Sequence, residues 1–240
     1  MKKLIFSLLI LKSIVIMISR AQELPLGYIL QYSQNFSDRN SVSDFNFSNP
    51  DSWNIIRQNN NYIMKYSAKS NYIVPAQYPN IIGLLSKQMY GDFIMDVDYM
   101  QTGGENNMSN FCIIFGLKDS THYCYIHLAP KADENSHNVF IVNDTISTKA
   151  GIKLSDGVNW NYNKWQKVRV KRNILDKTIT VYFNDMAKPV IEAKDRTYIM
   201  GYIGFGSVDE PGMIDNIKIW APTSVPGEAN IFNKISLSGN

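Results

Sequence analysis

The sequence predicts an all-β fold, a jelly-roll β-sandwich of two antiparallel sheets. Short runs of apolar or alternating residues recur about every ten residues along most of the chain, as in residues 93–101, 111–116 and 178–184. Polar stretches rich in turn-forming residues separate these runs, for example residues 102–107 with the sequence TGGENN. No segment keeps a 3.6-residue period for long enough to predict a major helix. Short strands at regular spacing, joined by polar turns, are typical of β-sandwiches and jelly rolls.

The first 21 residues have the three parts of a signal peptide. Lys2 and Lys3 precede an apolar run over residues 4–18, and small residues stand at the cleavage site, which ends at Ala21. The run is too short and too interrupted for a membrane span. We therefore predict cleavage after Ala21 and a secreted or periplasmic protein that has no membrane span after processing.

The charge of the chain changes when this leader is removed. The full sequence carries a formal net charge of +3, and the leader holds four basic residues and no acidic one, so residues 22–240 carry −1. No other basic cluster indicates a nucleic-acid partner. We expect a monomer with one sandwich domain over residues 22–222 and a flexible tail over residues 223–240. A short docked segment around Ile231 and Phe232 is the alternative interpretation of the tail.

Alternation within the later strands assigns one face of each strand to the core. In residues 166–172 and 178–184, side chains of odd and even positions point to opposite faces. Loop residues interrupt the alternation at each end of these runs. The residues expected to face the core are Gln166, Val168, Val170, Arg172, Ile179, Val181 and Phe183.

Two cysteines lie on either arm of a predicted hairpin. Cys112 and Cys124 fall in apolar runs joined by the polar residues 117–121. If the turn centres on Lys118, the two thiols lie directly opposite each other, and a disulfide would suit an oxidising compartment. Disulfides between adjacent strands are geometrically demanding, so two buried free thiols remain an equally open alternative.

The second arm of this hairpin, residues 122–128, contains two of the three histidines of the chain and two tyrosines. Alternation places Cys124, Ile126 and Leu128 toward the core together with His122. The opposite face then carries a polar and aromatic surface that a jelly roll can use for a ligand. The predicted ligand-binding residues on or near this surface are Tyr123, Tyr125, His127, His137 and Asn138.

These side chains suit a saccharide. Tyrosine rings stack on the apolar faces of sugars, while hydroxyl, imidazole and amide groups bond sugar hydroxyls. The alternative is that the tyrosines pack between elements and the histidines cap the turn. Trp160 is either an exposed platform for a saccharide or a side chain that closes one end of the sandwich, whereas Trp165 fits a core position.

A family resemblance covers most of the chain, from about Phe36 to Trp220. The segments that carry it are YGDFIMDVDY, FCIIFGLKDSTHYCYIHLA, NVFIVND, GVNWNYNKWQKVRVKR, ITVYFNDMAKPVIEAKD and GYIGFGSVDEPGMIDNIKIW. They resemble secreted bacterial proteins with the concanavalin A-like, or laminin-G-like, jelly roll. These are related to family-sixteen glycoside hydrolases and to 3-keto-disaccharide hydrolase-like domains. The resemblance implies this fold and a carbohydrate-active protein that binds a polysaccharide or oligosaccharide on one sheet face.

Two other functions remain open. The family-sixteen hydrolases carry Glu-x-Asp-x-Glu on one strand, and this motif is absent from the sequence. For a glycan-cleaving enzyme, the candidate catalytic residues are Asp96 and Asp98, with His127 and Asp144 near the hairpin. A solvated strand face is the alternative explanation of the aspartate pair. The other function is that of a structural or adhesive envelope protein.

One residue of the last predicted strand is a candidate metal ligand. The resemblance implies that Asp215, on the last strand, helps to hold a structural calcium ion, although calcium needs six to eight oxygen ligands. No other cofactor is expected. Zinc is disfavoured because His122 and His127 lie on opposite faces of their strand.

Overall fold

The structure, a computed structural model, describes residues 24–75, 79–103 and 109–232. The predicted signal peptide and residues 233–240 of the predicted tail lie outside the described residues. Within the described ranges the chain forms short strands and two 3₁₀ helices, Arg39–Asp44 and Pro50–Ser52. The strands are β1 Ile29–Gln34, β2 Phe45–Phe47, β3 Trp53–Gln58, β4 Asn61–Tyr66, β5 Ile81–Leu85, β6 Gln88–Met89, β7 Phe93–Gln101, β8 Phe111–Asp119, β9 His122–Leu128, β10 Asn138–Asn143, β11 Ile146–Lys149, β12 Gly151–Leu154, β13 Gln166–Asn173, β14 Thr178–Phe183, β15 Pro189–Lys194, β16 Tyr202–Ser207, β17 Gly212–Ala221 and β18 Val225–Pro226.

The strands form two large antiparallel sheets and one small ribbon. The nine-stranded sheet has the order β12-β15-β14-β13-β7-β17-β4-β3, and β1 pairs with β17 beyond the end of β4. The seven-stranded sheet has the order β11-β10-β9-β8-β16-β5-β2, and β18 pairs with β6 in the ribbon. The two sheets bury their facing sides in one apolar core. This arrangement confirms the predicted jelly-roll β-sandwich.

The alternation predicted for the later strands is confirmed. Gln166, Val168, Val170 and Arg172 of β13 are all buried, while Lys167 is exposed. The guanidinium of Arg172 lies over the ring of Phe115, which explains how a charged side chain occupies a core position. The prediction that Trp165 occupies a core position is wrong. This residue precedes the first residue of β13 and is 39% exposed.

The β8–β9 hairpin corrects the predicted position of the cysteines. The predicted register is wrong, because Cys112 pairs with His127 and Cys124 pairs with Phe115. The turn lies between Asp119 and His122, and the register shifts within β8, where Gly116 adopts a positive φ of 61°. The two thiols therefore point to opposite faces of the sheet, and both are free and buried.

The described part of the predicted tail is docked on the body of the protein. We call residues 223–232 the C-terminal segment. Within this segment β18 pairs with β6, the amide of Ala229 donates to the carbonyl of Ser86, and the amides of Ile231 and Phe232 donate to the side-chain oxygen of Asn46. These contacts correspond to the docked alternative for the tail rather than to a flexible one.

In the described part of the chain, no helix has the length and apolar character needed to cross a bilayer.

Candidate functional site

The aromatic residues of β9 lie on the predicted face of the sheet. Cys124, Ile126 and Leu128 face the core between the sheets, whereas Tyr123 and Tyr125 belong to a second apolar cluster on the outer side of the seven-stranded sheet. The predicted division of the strand into two faces is therefore confirmed. The expectation that the tyrosine rings lie open to a ligand is not met, because Tyr123 is 1% exposed and Tyr125 is 2% exposed.

The C-terminal segment packs on this outer cluster. Ala229, Ile231 and Phe232 pack against the outer cluster, and the ring of Phe232 meets that of Tyr72 edge to face at 5.2 Å. We call this outer surface the covered face. Its buried side chains are Ile82, Leu84, Cys112, Ile114, Leu117, Tyr123, Tyr125, Phe140, Val142, Tyr202 and Ala229.

A cleft of about 510 Å³ opens at the end of β9, next to the covered face. We call it the His127 cleft. Its described polar lining residues are Ser109, Asn110, His127, Lys131, Asp133, Asn135, Ser136 and Asp209, and its described apolar ones are Ala129, Pro130 and Val208. They come from the residues just before β8, from the end of β9 with the loop that follows it, and from the residues just after β16.

His127 is the buried polar residue of β9 that reaches this cleft. Its Nδ1 lies 3.0 Å from the carbonyl oxygen of Asn135. Burial lowers the pKa of His127 to about 4, so the imidazole is neutral at neutral pH. A carbonyl can only accept, so the proton of the neutral ring is on Nδ1. The Nε2 atom is then a hydrogen-bond acceptor.

Asp209 is held at the cleft by a network of hydrogen bonds. The side-chain amide of Asn110 donates to Asp209 Oδ1 at 3.0 Å. The side-chain oxygen of Asn110 accepts from the hydroxyl of Ser207 and the amide of Val208. These bonds fix both the turn after β16 and the orientation of the Asp209 carboxylate, although Asp209 itself is exposed.

A second cleft, of about 400 Å³, adjoins the first at Pro130. Trp160 and Tyr162 are among its lining residues, and the hydroxyl of Tyr162 lies 2.6 Å from that of Ser109 in the first cleft. Trp160 is 6% exposed and meets the rings of Tyr99 and Phe183 edge to face. Its ring therefore closes the end of the sandwich and is not an exposed platform.

His137 and Asn138 have structural partners. His137 is fully buried, and its Nε2 lies 3.0 Å from the hydroxyl of Ser155. Asn138 is opposite His127 across the β9–β10 pair, and its side-chain oxygen accepts from the amides of Val139 and Gly151. Neither residue lines either of these two clefts.

His122, at the opposite end of β9 from His127, lies beside Asp144. His122 Nε2 lies 3.5 Å from a carboxylate oxygen of Asp144, and His122 Nδ1 lies 2.9 Å from Asp119. Asp144 therefore accompanies His122 and is not brought together with His127. The structure does not combine these candidate acid–base groups in one site.

Asp96 and Asp98 lie on the outer surface of the nine-stranded sheet. Both oxygens of Asp96 accept from the guanidinium of Arg169 at 2.6 Å, and Asp98 accepts from Lys167 at 2.9 Å. Neither aspartate lines one of the two clefts described above. Their contacts are those of a solvated, charge-paired strand face.

The surroundings of Asp215 do not fit a calcium ion. Its two oxygens accept from the side-chain amide of Asn61 at 2.8 Å and from the backbone amide of Asn216 at 2.7 Å. Burial raises its pKa, which favours the neutral acid. The neighbouring Asp98 already forms an ion pair with the ammonium group of Lys167. Across the described ranges, no three His, Cys, Asp or Glu side chains come together as a possible set of metal ligands.

Sequence reasoning identified His127 but missed the other polar residues of the His127 cleft. Asn110 lies just before β8, Asp209 follows β16, and Asp133 lies in the loop after β9. Asp209 and Asn110 are 99 positions apart in the sequence. No local pattern links two such residues, because their contact depends on the pairing of β8 with β16.

Comparisons with known proteins support the fold. No protein-family model matches the chain, and no curated protein matches its sequence. The structure is similar to the carbohydrate-binding module CBM66 from Bacillus subtilis, with a TM-score of 0.51 and 15% identity over 72% of this chain and 93% of that one. It is similar to a cellulose-induced protein with a TM-score of 0.53 and 14% identity over 80% and 98% of the two chains.

A third similar structure is domain 4 of an extracellular arabinanase from Geobacillus stearothermophilus, in complex with arabinotriose. The TM-score is 0.50, with 8% identity over 86% of this chain and 98% of that one. At these identities the likeness is one of fold. The fold of this protein is the concanavalin A-like β-sandwich.

Proposed function

We propose that this protein is a secreted carbohydrate-binding β-sandwich whose binding site is the His127 cleft. One observation carries the proposal. His127 is 7% exposed, and its Nε2 makes no hydrogen bond within the described residues while the side chain lines a cleft of about 510 Å³. A nearly buried acceptor on a side chain that lines a cleft is a group for which a ligand hydroxyl is a suitable partner.

The rest of the cleft suits a sugar. Ala129, Pro130 and Val208 provide apolar surface for the carbon-bound hydrogens of a pyranose or furanose ring. The carboxylates of Asp133 and Asp209 accept hydrogen bonds from ring hydroxyls. The adjoining second cleft gives room for a further sugar residue along an oligosaccharide.

The similar structures support a saccharide as the class of ligand. One of them is named a carbohydrate-binding module, and another was solved with arabinotriose. Secretion is the second part of the proposal, and it is motivated by the signal-peptide pattern of residues 1–21.

A polysaccharide array on the purified protein, without its leader, tests the function. We expect binding to at least one glycan and no release of reducing ends in the same samples. We also expect His127→Asn to weaken that binding by roughly three- to tenfold, because one neutral hydrogen bond is worth about 0.5–1.5 kcal/mol. The shorter asparagine amide still donates toward the carbonyl of Asn135 but cannot supply the Nε2 acceptor.

His122→Asn is the matched control. This histidine lies at the other end of β9 beside Asp119 and Asp144, so its replacement should leave affinity unchanged. Affinities are normalised to the folded fraction of each variant. If no glycan on the array binds, the proposed function is wrong. If a glycan binds with equal affinity to both variants, the site is not the His127 cleft.

A further inference from the structure

We propose that the His127 cleft selects uncharged glycans and rejects glycans that carry carboxylates, because the cleft presents acceptors and an excess of negative charge. The inference rests on the proposed function and specifies its ligand class.

The nearly buried imidazole of His127 offers the cleft an acceptor. The bond from Nδ1 to the carbonyl of Asn135 fixes the tautomer of His127, and Nε2 carries the lone pair. Because the side chain is nearly buried, the ring stays neutral near neutral pH, as its lowered pKa also indicates. A ligand group that approaches Nε2 must therefore donate a hydrogen. A sugar hydroxyl can do so, whereas a uronate carboxylate cannot.

Two carboxylates extend this acceptor surface at the exposed edge of the cleft. Asp209 is oriented through Oδ1 by the side-chain amide of Asn110, and Oδ2 has no hydrogen bond within the described chain. Asp133 accepts from the backbone amide of Asn135 at 2.8 Å. That bond lowers the pKa of Asp133, so this residue is charged at neutral pH. Both residues accept hydrogen bonds and repel anions.

The positive charge of the cleft is smaller than its negative charge. Lys131 is the basic residue among the described lining residues of this cleft, set against the two carboxylates of Asp133 and Asp209. A uronate would place a further negative charge in this surrounding, while a neutral sugar would supply hydroxyl donors to the same oxygens. Lys131, Asp133 and Asp209 are exposed, so salt screens the repulsion and the expected preference is moderate, about tenfold.

The test compares polysaccharides that differ by their carboxylates. Affinity gel electrophoresis of the purified protein would use β-linked mannan against polymannuronate, and the methyl ester of polygalacturonate against polygalacturonate itself. We expect the neutral member of a pair to bind about tenfold or more tightly than its uronate counterpart at low salt, and the ratio to fall as salt is raised. The Asp209→Asn variant should narrow the ratio because it removes one negative charge and keeps the oxygen that accepts from Asn110.

Asp144→Asn is the control, because this carboxylate lies at the far end of β9 and should leave the ratio unchanged. Equal or tighter binding of a uronate, or a ratio that Asp209→Asn does not change, would overturn the inference and leave the proposed function standing. Failure of every neutral and acidic glycan, on these gels and on the array, would instead reject the proposed function.

Discussion

The outer surfaces of the two sheets differ in polarity. On the nine-stranded sheet the outer surface carries charged pairs such as Asp96 with Arg169 and Asp98 with Lys167, and we call it the charged face. On the seven-stranded sheet the covered face is apolar and aromatic and lies beneath the C-terminal segment. Both sheets contribute their inner sides to one core. The difference between the two outer surfaces arises from the composition of the strands.

Strands of the charged face alternate between apolar and polar residues. In β13 the residues Lys167, Arg169 and Lys171 point away from the core. By contrast, Phe111–Asp119 of β8 begins with an apolar run in which successive residues are all buried. A strand that is apolar on both sides needs a cover on both sides. A continuous apolar strand in an antiparallel sandwich therefore indicates a covering segment elsewhere in the chain.

The largest expected effect concerns the aromatic residues of the two faces. Tyr125 stacks on Phe140 at 5.0 Å in the covered face, so Tyr125→Ala should lower the free energy of unfolding by about 3–5 kcal/mol. Tyr182 on the charged face is the matched control. Its ring faces solvent beneath the ammonium of Lys171, and Tyr182→Ala should cost about 1 kcal/mol or less. Denaturant titrations of both variants measure the difference, and equal losses would contradict the distinction between the faces.

The second prediction concerns the pH dependence of stability beside the covered face. Burial lowers the pKa of His127 from 6.5 to about 4, which favours the neutral ring in the folded state. The stabilising contribution is therefore fully present above pH 6.5 and is lost as the pH falls toward 4. It amounts to roughly 3 kcal/mol, because one pKa unit corresponds to about 1.4 kcal/mol.

The measurement compares the unaltered protein with His127→Asn across this pH range. Asp133, Asp209 and His137 are the charged or titratable neighbours that act on His127, and they are present in both proteins. The unaltered protein should lose stability more steeply between pH 6.5 and 4 than the variant does. Parallel curves would mean that His127 titrates as it does in the unfolded chain.

The third prediction removes an anchor of the covering segment. Asn46 is buried in β2 and accepts from the amides of Ile231 and Phe232, so Asn46→Ala should cost about 1–2 kcal/mol. Limited proteolysis should cut the C-terminal segment sooner in this variant. Asn54→Ala, at an exposed position of β3, should change neither stability nor cleavage. An unchanged cleavage rate in Asn46→Ala would show that this anchor does not hold the segment.

The smallest effect is expected on the charged face. The Asp96–Arg169 pair is bidentate but partly exposed, with 31% of the Asp96 side chain accessible, so Asp96→Asn should cost about 0.5–1 kcal/mol. The loss should shrink at high salt, where the pair is already screened. A loss as large as that of Tyr125→Ala would mean that the charged face is as important for stability as the covered one.

Much of the fold could be predicted from local patterns. Alternation in β13 and β14 identified the core side of each strand, and the inner side of β9 was predicted through Cys124, Ile126 and Leu128. The register of the β8–β9 hairpin could not be predicted, because it depends on where one strand takes up extra residues. The positive φ of Gly116 accompanies that shift, and glycine alone does not specify it.

The candidate site was predictable only in part. His127 was identified from its strand face and lines the cleft, whereas Tyr123 and Tyr125 share that face and are covered. The two outcomes differ because alternation assigns a side chain to a face but does not show what lies above that face. Asp133 and Asp209 come from separate loops and could not be placed beside His127 from the sequence.

From the sequence came the class of fold and the two sides of β9, β13 and β14, because the backbone of a strand turns successive side chains to opposite faces with a period of two. The tertiary structure alone decided which outer surface is covered and where the cleft opens. Asn46 and Phe232 are 186 positions apart, and their contact depends on the docking of the C-terminal segment across the finished sheet. The physical reason is that strand periodicity is local, whereas the covering of a face and the meeting of loops require the long-range pairing of strands.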